Sequence, residues 1–383
     1  MPHNHPPGWR PGPGGNKLMN YLTIAELQDR LKPLGRTLPD PQRGVLYCDW
    51  TLSGVEILFR GRDLAVDLCA LPGAEADRNP MTGQIVQRPT WPWCAVILDE
   101  DETPARTFEV EGDACTQLLF HSGEEELHRI RLIKRTENAK GYLGVRGFWL
   151  DGEILPLSAA SAPRQIVFIG DSITCGFGNT TEERDRLFFS CDEDGWQAHG
   201  AIAARMLGME PTIISSSGIC VTAFAGWPHP YAMDGLYDYT DRMLEEKLGR
   251  TTLTRWDFDA HQADYVVLNL GTNDSNAMVA EGTQGAAHHA RAYRDFVAHL
   301  RAVHPQAYIL CALGSMDYYL YTDIQRIVED YRRETGDDRV SCFRYPKMEI
   351  GDPVGACGHP HAATHRKMAR ALADHITALE ARG

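Results

Sequence analysis

The sequence lacks the features that mark several protein classes. None of its ten cysteines stands in a Cys-x-x-Cys pair, which argues against a zinc site or a small disulfide scaffold. No apolar run approaches the ~20 residues that a membrane-spanning helix requires. Basic residues number 38 against 52 acidic ones, and no basic patch stands out. A nucleic-acid partner and a membrane are therefore not expected.

The first fifteen residues also lack the apolar segment of a secretory signal peptide. A cytoplasmic location is the simplest expectation, with secretion left open. Met1–Lys17 is rich in proline and glycine and is predicted to be disordered. Apolar residues at roughly helical spacing, with Thr23 and Glu26 as a capping box, predict a short helix over Leu22–Leu34. Residues 1–35 are thus assigned to a disordered N-terminus and a short helix.

From about Arg36 to Leu157 apolar residues alternate with polar ones at period two. Short runs such as Val55–Arg60 and Leu64–Leu68 are predicted to be separate strands with turn residues between them. Many short strands of this kind are typical of an all-β sandwich, and a jelly roll is the expected variant. A chain of 383 residues is long for one core. Residues 36–157 are therefore assigned to a separate β-sandwich domain.

From Arg164 the pattern becomes strand, loop and helix in alternation. Such alternation predicts a doubly wound, flavodoxin-like domain with a parallel sheet over residues 164–383. Its predicted strands are Gln165–Ile169, Thr212–Ser216, Asp264–Leu270, Ala307–Ala312 and Val340–Arg344. Residues 158–163, Ser-Ala-Ala-Ser-Ala-Pro, form the predicted boundary between the two domains.

The first predicted strand of this second half ends at Gly170-Asp171-Ser172. Ligands bind at the carboxyl ends of the strands in open α/β sheets, so the hydroxyl of Ser172 falls at the edge where a site is expected. A serine hydroxyl is a weak nucleophile at neutral pH and needs a base and a set of oxyanion donors. Ser172 is therefore the candidate nucleophile. The alternative is a serine that only caps the helix turn that follows.

Four sequence blocks occur in the order in which SGNH (GDSL-type) hydrolases carry them. They are Gly170-Asp171-Ser172-Ile173, Gly218, Gly271-Thr272-Asn273-Asp274 and His359-Pro360. Residues 164–383 thus resemble that family, and the β-rich half resembles the jelly-roll domain of carbohydrate esterase family 2. Together the resemblances imply a serine esterase that removes O-acetyl groups from oligo- or polysaccharides, as an acetyl xylan esterase does. They imply an acyl-enzyme intermediate, a bias towards 6-hydroxyl groups, and no cofactor or metal.

The resemblance also implies a role for each block. Ser172 is the implied nucleophile and His359 the implied base. The backbone N–H groups of Ser172 and Gly218 and the side-chain amide of Asn273 are the implied oxyanion-hole donors. The implied partner is an acetylated carbohydrate substrate, and the oligomeric state is left open.

Two positions depart from the family pattern. Most relatives carry an aspartate three residues before the histidine, which holds the imidazole in one tautomer, and here that residue is Ala356. Either Asp352 reaches the ring from a differently shaped loop, or a backbone carbonyl orients it in a Ser–His dyad, which we favour. Gly358 stands where relatives often carry an aromatic residue that stacks on substrate. Trp227 or Trp196 could be the substrate contact in its place, and either could equally be a core residue.

Two other functions fit the same residues. SGNH sheets also host lipases and lysophospholipases, and the jelly roll could make the chain a catalytically inert carbohydrate-binding protein. Only an esterase would release acid from 4-nitrophenyl acetate, which separates it from a binding protein. The jelly roll and the absence of a long apolar lid favour sugar esters over lipids.

Overall fold

The computed structural model of this protein describes residues 19–79, 81–157 and 163–382. The predicted disorder of Met1–Lys17 and most of the predicted boundary, residues 158–162, lie outside these residues. The chain divides into two compact units, Met1–Ser161 and Ala162–Gly383. The first unit is built from β-strands and the second from alternating strands and helices.

The described part of the first unit contains eleven β-strands and two short 3₁₀ turns, Ile24–Leu27 and Asn138–Lys140. The strands are β1 (Asn20–Thr23), β2 (Leu31–Leu34), β3 (Leu38–Asp40), β4 (Val45–Tyr47), β5 (Gly54–Leu71), β6 (Gly73–Arg78), β7 (Ile85–Thr90), β8 (Trp93–Leu98), β9 (Arg106–Glu109), β10 (Cys115–Lys134) and β11 (Tyr142–Leu155). The main sheet has the order β3-β4-β11-β5-β10-β8-β9, with β1 paired to β11 and β2 paired to β5. Strands β6 and β7 form a separate two-stranded sheet.

The long strands of this unit exchange partners along their length. The Gly54–Ile57 end of β5 pairs with β2, whereas Leu58–Leu71 pairs with β11. Register shifts in β10 and β11 mark bulges, which bend a strand and increase its twist. The strands enclose one hydrophobic core, which includes Phe59, Leu68 and Phe148. The unit is therefore the β-sandwich of jelly-roll type that the sequence predicted.

The helix predicted over Leu22–Leu34 is wrong. This segment forms β1, the single 3₁₀ turn Ile24–Leu27, and β2. The capping box does form, because the Thr23 N–H donates to the Glu26 carboxylate at 2.8 Å and the Glu26 N–H donates to the Thr23 hydroxyl at 3.3 Å. Pro33 has no N–H for a helical hydrogen bond, and both strands gain partners in the main sheet. The segment therefore belongs to the β unit and does not precede it.

The two strands predicted at Val55–Arg60 and Leu64–Leu68 are parts of one strand, β5. Gly61 lies between them, and a Cβ atom on it would lie 2.4 Å from the carbonyl oxygen of Asp151 in the neighbouring strand β11. Glycine in a strand often marks such a close approach of another backbone. Gly61 thus permits close contact between strands, and the chain does not turn there.

The described part of the second unit contains five β-strands, eight α-helices and four 3₁₀ segments. The strands are β12 (Gln165–Gly170), β13 (Glu210–Ser215), β14 (Tyr265–Asn269), β15 (Tyr308–Leu313) and β16 (Val340–Arg344). The α-helices are α1 (Ser172–Cys175), α2 (His199–Leu207), α3 (Met233–Leu236), α4 (Arg242–Lys247), α5 (Thr272–Ala277), α6 (Gly285–Val303), α7 (Tyr321–Thr335) and α8 (Ala362–Glu380). The 3₁₀ segments are Ser190–Asp192, Gly195–Gln197, Met278–Gln284 and Ala356–Gly358.

All five strands of the second unit are parallel, in the order β13-β12-β14-β15-β16. Numbered along the unit this is the order 2-1-3-4-5 of flavodoxin-like folds, so the predicted fold class is confirmed. Strand β14 is buried along its whole length, as expected for a central strand of a parallel sheet. The carboxyl ends of β12, β13 and β14 meet at one edge of the sheet, where the order of strands reverses.

The structure also shows whether the cysteines are paired and whether any helix could cross a membrane. All ten cysteines are free thiols, and only Cys191 and Cys357 are exposed. Burial raises the pKa of the Cys94 thiol to about 12, so this side chain stays protonated and unreactive at neutral pH.

Across residues 19–79, 81–157 and 163–382, no helix has both the length and the apolar character that crossing a bilayer requires.

Candidate active site

The candidate nucleophile lies directly after β12. Asp171 caps the short helix α1, because its Oδ1 accepts the backbone N–H of Ile173 at 3.0 Å. Ser172 is the first residue of this helix and not its cap, and its side chain is 8% exposed. The hydroxyl is therefore free of a capping role.

The side chain of His359 meets that of Ser172. Its Nε2 lies 2.9 Å from the Ser172 Oγ, within hydrogen-bond reach for a general base and a nucleophile. Its Nδ1 lies 3.2 Å from the carbonyl oxygen of Ala356. An Nδ1–H that donates to this carbonyl leaves Nε2 unprotonated, which is the tautomer that can take the hydroxyl proton. The arrangement is a Ser–His pair oriented by the main chain.

The carboxylate of Asp352 is engaged elsewhere. Its Oδ1 lies 2.5 Å from Lys367 Nζ, and its Oδ2 accepts the Glu349 N–H at 3.0 Å. The hydrogen bond from Lys367 lowers the pKa of Asp352, so the group is ionised at neutral pH. In the structure Asp352 therefore does not orient the imidazole of His359, because both of its carboxylate oxygens bind other partners.

The backbone before His359 explains how a carbonyl can take the place of an acid. Cys357 and Gly358 both have positive φ angles, 52° and 77°. These two residues turn the chain, so that the Ala356 carbonyl accepts the His359 N–H at 3.1 Å and also faces the imidazole. A positive φ favours glycine over residues with side chains. This gives a backbone reason for glycine at position 358.

The two other candidate oxyanion donors follow β13 and β14. Gly218 has a φ of 82°, while a Cβ atom there would meet only His229 Cδ2 at an ordinary 3.7 Å. Glycine is thus required at position 218 by the backbone conformation, and not by a lack of room for a side chain. The Nδ2 of Asn273 donates to the Ile219 carbonyl at 3.0 Å and lies 3.4 Å from Oδ2 of Asp171. The amide of Asn273 therefore bridges the loops that follow β12 and β13.

Two buried carboxyl groups support these loops. The Oδ1 of Asp274 accepts the Val221 N–H at 2.9 Å and so ties α5 to the loop after β13. Burial raises the pKa of Asp171 and of Asp274 to about 7. Both carboxyl groups are therefore partly neutral near pH 7. In the described residues, no three His, Cys, Asp or Glu side chains are grouped to hold a metal ion.

The two candidate tryptophans occupy different environments. Trp196 is 6% exposed, and the guanidinium carbon of Arg205 lies 4.0 Å from its ring centroid. Trp196 therefore packs as a core residue, which is one of the two alternatives that the sequence left open at this position. Trp227 is half-buried, and its indole N–H donates to the Gly218 carbonyl at 2.8 Å. Its ring therefore lies beside a candidate oxyanion donor and keeps accessible surface.

Two of the histidines that follow His359, at positions 361 and 365, lie close to it in the sequence, and the structure gives each a structural role. His361 is the N-cap of α8, and its Nδ1 accepts the Ala363 N–H at 3.2 Å. His365 is buried, and its Nδ1 accepts the His199 N–H at 3.1 Å. Burial lowers the pKa of both side chains, which favours neutral imidazoles.

Sequence reasoning missed one residue that contacts the base. The ring centroid of Phe177 lies 4.4 Å from that of His359, with an angle of 39° between the planes. In the sequence this residue is an aromatic between two glycines, five positions after Ser172. Nothing in that spacing separates it from an ordinary packing residue, so only the fold brings it to the site.

The chain was compared with known families and proteins. The model of the GDSL-like Lipase/Acylhydrolase family matches residues 168–376. The cellulase/esterase CelE of Acetivibrio thermocellus is 31% identical over 335 residues, which cover 86% of this chain but only 37% of CelE. An acetylxylan esterase / glucomannan deacetylase of Cellvibrio japonicus is 26% identical over 290 residues, 73% of this chain and 74% of that protein.

A solved structure adds a match over both units. A family two carbohydrate esterase from Clostridium thermocellum, in complex with cellohexaose, aligns with a TM-score of 0.75 and 29% identity. The alignment covers 92% of this chain and 99% of that one. The family model covers more than half of the 383 residues and includes all four blocks, from the strand before Ser172 to the helix after His359. The chain therefore belongs to the GDSL-like lipase/acylhydrolase family, as the sequence resemblance predicted.

Proposed function

We propose that this protein is a serine esterase that removes O-acetyl groups from carbohydrates. The observation that carries the proposal is the 2.9 Å contact between Ser172 Oγ and His359 Nε2. It lies at the carboxyl edge of the parallel sheet, where Gly218 and Asn273 also follow strand ends. The names of the relatives, which include an acetylxylan esterase / glucomannan deacetylase and a family two carbohydrate esterase, support this substrate class.

The first chemical step forms an acyl-enzyme. The Oγ of Ser172 attacks the acetyl carbonyl carbon while His359 Nε2 takes the hydroxyl proton. The carbonyl electrons move to the oxygen, and the oxyanion accepts hydrogen bonds from the Ser172 N–H, the Gly218 N–H and the Asn273 amide. When the tetrahedral intermediate collapses, the C–O bond to the sugar breaks. The sugar oxygen takes the proton from the imidazolium and leaves as an alcohol.

The second step regenerates the enzyme. Water attacks the acetyl group on Ser172 and passes a proton to His359 Nε2. The same donors stabilise the second oxyanion, and collapse breaks the bond to Oγ. Acetic acid leaves and loses its remaining proton to solvent, and Oγ recovers its proton from the imidazolium. In this proposal Trp227 provides the sugar contact, because its ring lies next to Gly218 and is partly exposed.

A substrate panel tests the proposal. Acetylated xylo-, manno- and gluco-oligosaccharides are incubated with the protein, and the O-acetyl signals are followed by NMR. We expect free acetate to appear, with 6-O-acetyl groups lost first. 4-Nitrophenyl esters from acetyl to dodecanoyl form a second series, in which we expect the acetyl ester to be hydrolysed fastest. Faster turnover of the long esters would favour a lipase, and binding of the sugars without acetate release would favour an inert binding protein.

We expect Asn273→Ala to lower kcat on acetyl esters by ~10²–10³-fold, because a fixed, neutral oxyanion donor is lost. Steady-state kinetics with 4-nitrophenyl acetate and a thermal melt measure activity and folding together. Asn276→Ala is the matched control, since Asn276 lies in the same helix, is exposed, and its side-chain amide donates to the Thr272 carbonyl at 3.2 Å. A loss below tenfold in a folded Asn273 variant would remove this amide from the oxyanion site.

A further inference from the structure

We propose that Glu281 is a positioning residue that fixes the turn bearing Trp227, and that it thereby sets how tightly the site holds a carbohydrate. The inference rests on the proposed function in one respect, because Trp227 is the sugar contact there. It goes beyond that function by naming a residue that acts on the sugar through Trp227. The observations that carry it are the hydrogen bonds of the turn, its packing, and the bond from Trp227 to Gly218.

Trp227 is the last residue of a β-turn, Phe224–Trp227. Its backbone N–H donates to the Phe224 carbonyl at 3.2 Å. The third residue of the turn, Gly226, has a φ of 76°, a conformation that favours glycine. Ala225 and Gly226 are exposed. An exposed turn moves readily unless its backbone groups are bound to the body of the domain.

The turn lies in a surface loop whose two ends are joined. The Met233 N–H donates to the Cys220 carbonyl at 3.0 Å. Beside this bond, the Asp274 carboxylate accepts the Val221 N–H at 2.9 Å and ties the start of the loop to α5. Compact loops with joined ends are frequently functional. These bonds hold the ends of the loop, so the turn in its middle needs a support of its own.

Glu281 supplies that support. Its Oε1 accepts the Ala225 N–H at 3.1 Å, and its Oε2 lies 2.8 Å from Nδ1 of His288 in α6. The hydrogen bonds from Ala225 and His288 lower the pKa of Glu281, so the carboxylate is charged at neutral pH. Its bond to the backbone amide is therefore charge-assisted. The side chain is only 19% exposed, and it connects the turn to a helix of 19 residues.

The first residue of the turn is fixed by packing. Phe224 is buried in an apolar cluster with Cys220 and Ala277, and Trp227 packs against the same cluster. The imidazole ring of His288 lies 5.1 Å from the Phe224 ring, with an angle of 57° between the planes. His288 therefore contacts the turn as well as the carboxylate. The cluster and the carboxylate together hold two successive residues of the turn.

The last residue of the turn reaches the oxyanion site. The indole N–H of Trp227 donates to the Gly218 carbonyl at 2.8 Å, which fixes the direction of the ring while the turn fixes its position. A ring that is held before the sugar arrives loses little conformational freedom on binding, whereas a mobile ring must be ordered at that moment. Ordering one such side chain costs about two- to tenfold in affinity. Loss of Glu281 should therefore weaken sugar binding several-fold.

The oxyanion donor Gly218 is held independently of Glu281. It is the third residue of another turn, which the bond from the Ile219 N–H to the Ser216 carbonyl closes at 3.2 Å. The side-chain amide of Asn273 donates to the Ile219 carbonyl at 3.0 Å and supports this turn from α5. The donors should therefore stay in place when the Trp227 turn loosens. Loss of Glu281 should change the binding of a sugar and leave the chemical steps on a small ester unchanged.

The test measures binding in a Ser172→Ala background, which holds an acetylated xylo-oligosaccharide without turning it over. Isothermal titration calorimetry gives the Kd. We expect Glu281→Ala to raise the Kd about three- to tenfold. Glu281→Gln keeps an acceptor for the Ala225 N–H and should stay within about twofold of the background. With Ser172 intact, both variants should keep kcat/KM on 4-nitrophenyl acetate, which carries no sugar, within about twofold of wild type.

Because Glu281 acts through Trp227, the effects of the two residues should not add. Trp227→Ala should raise the Kd by more than Glu281→Ala does, and adding Glu281→Ala to it should have no further effect. Glu334→Ala is the matched control, because the Glu334 carboxylate also pairs with a side chain of α6, that of Arg294, but does so from α7. It should leave the Kd unchanged.

Hydrogen exchange, followed by mass spectrometry, examines the turn without any sugar. Peptides covering residues 219–232 should exchange faster in Glu281→Ala and at the wild-type rate in Glu281→Gln, with thermal melts to confirm folding. If Glu281→Ala does not fold, Glu281→Ser makes the same comparison. An unchanged Kd in a folded Ala or Ser variant overturns the inference, and so does a Gln variant that binds no better than the Ala variant or an additive effect in the double variant. A protein whose sugar binding depends on Glu281 in this way but that hydrolyses no ester would contradict the proposed function and leave the inference supported.

Discussion

Ser172→Ala is expected to lower kcat for acetyl ester hydrolysis by roughly 10⁵-fold or more, because the hydroxyl that forms the acyl-enzyme is lost. The backbone oxyanion donors and the substrate contacts remain in this variant, so a small residual rate above that of water is expected. The substitution removes one hydroxyl from a side chain that is 8% exposed, so the fold should be kept. Steady-state kinetics on 4-nitrophenyl acetate and on an acetylated oligosaccharide measure the loss.

A second readout identifies the intermediate. Rapid-quench mass spectrometry should find acetyl on the peptide that contains Ser172 in the wild-type protein and not in the variant. Ser341→Ala serves as the matched control, because the Ser341 hydroxyl is buried in β16 and has no hydrogen-bond partner in the structure. Turnover within tenfold of wild type in a folded Ser172→Ala variant would remove Ser172 from the chemistry.

The site residues that come shortly after a strand could be predicted from the sequence. Ser172, Gly218 and Asn273 each follow a short apolar run that reads as a buried parallel strand, and the three strands β12, β13 and β14 are neighbours. Because parallel strands end at a common edge, their position in the sequence already brings these residues together. His359 adds to them because it directly precedes the last helix.

The parts that the sequence left open or mispredicted depend on contacts that are not encoded locally in the sequence. Asp352 lies seven residues before His359, yet its carboxylate points to Lys367 in α8. Trp196 could have been a substrate contact or a core residue, and Arg205 from α2 covers its ring. Residues 61–63 were predicted to be turn residues between two strands, although Gly61 allows β5 to pass close to β11. In each case the contact is with a residue that is distant in the sequence or that lies in a neighbouring secondary-structure element.

Phe177 was missed for a related reason. Its contact with His359 joins residues 182 positions apart, through a segment whose hydrogen bonds are almost all main-chain bonds. Main-chain hydrogen bonds place little constraint on which amino acid occupies a position, except where the position must be glycine. Gly178 is such a position, because its φ is 58° and it contacts Ala356 directly. A glycine next to the aromatic residue was the only local sign of the close fit.

The main-chain orientation of His359 has a direct kinetic consequence. A triad aspartate that is neutralised costs ~10⁴-fold in turnover, because the imidazole adopts the wrong tautomer. A backbone carbonyl cannot be protonated or removed by substituting a side chain. The only carboxylate near the histidine in sequence, Asp352, forms a partly exposed ion pair with Lys367, and such pairs contribute little to stability. Its removal should therefore disturb neither the fold nor the tautomer.

We expect His359→Ala to lower kcat by roughly 10⁵-fold, close to the loss in Ser172→Ala, because the two side chains act as one unit. Asp352→Asn should change kcat by less than about tenfold, since a remote charge only adjusts the pKa of the histidine. His361→Asn is the matched histidine control, because asparagine can keep the N-cap of α8, and it should retain activity. All three variants are compared with wild type on 4-nitrophenyl acetate, with thermal melts to confirm folding. A loss of several orders of magnitude in folded Asp352→Asn would mean that the carboxylate leaves Lys367 and reaches the imidazole during turnover, which would make the site a triad.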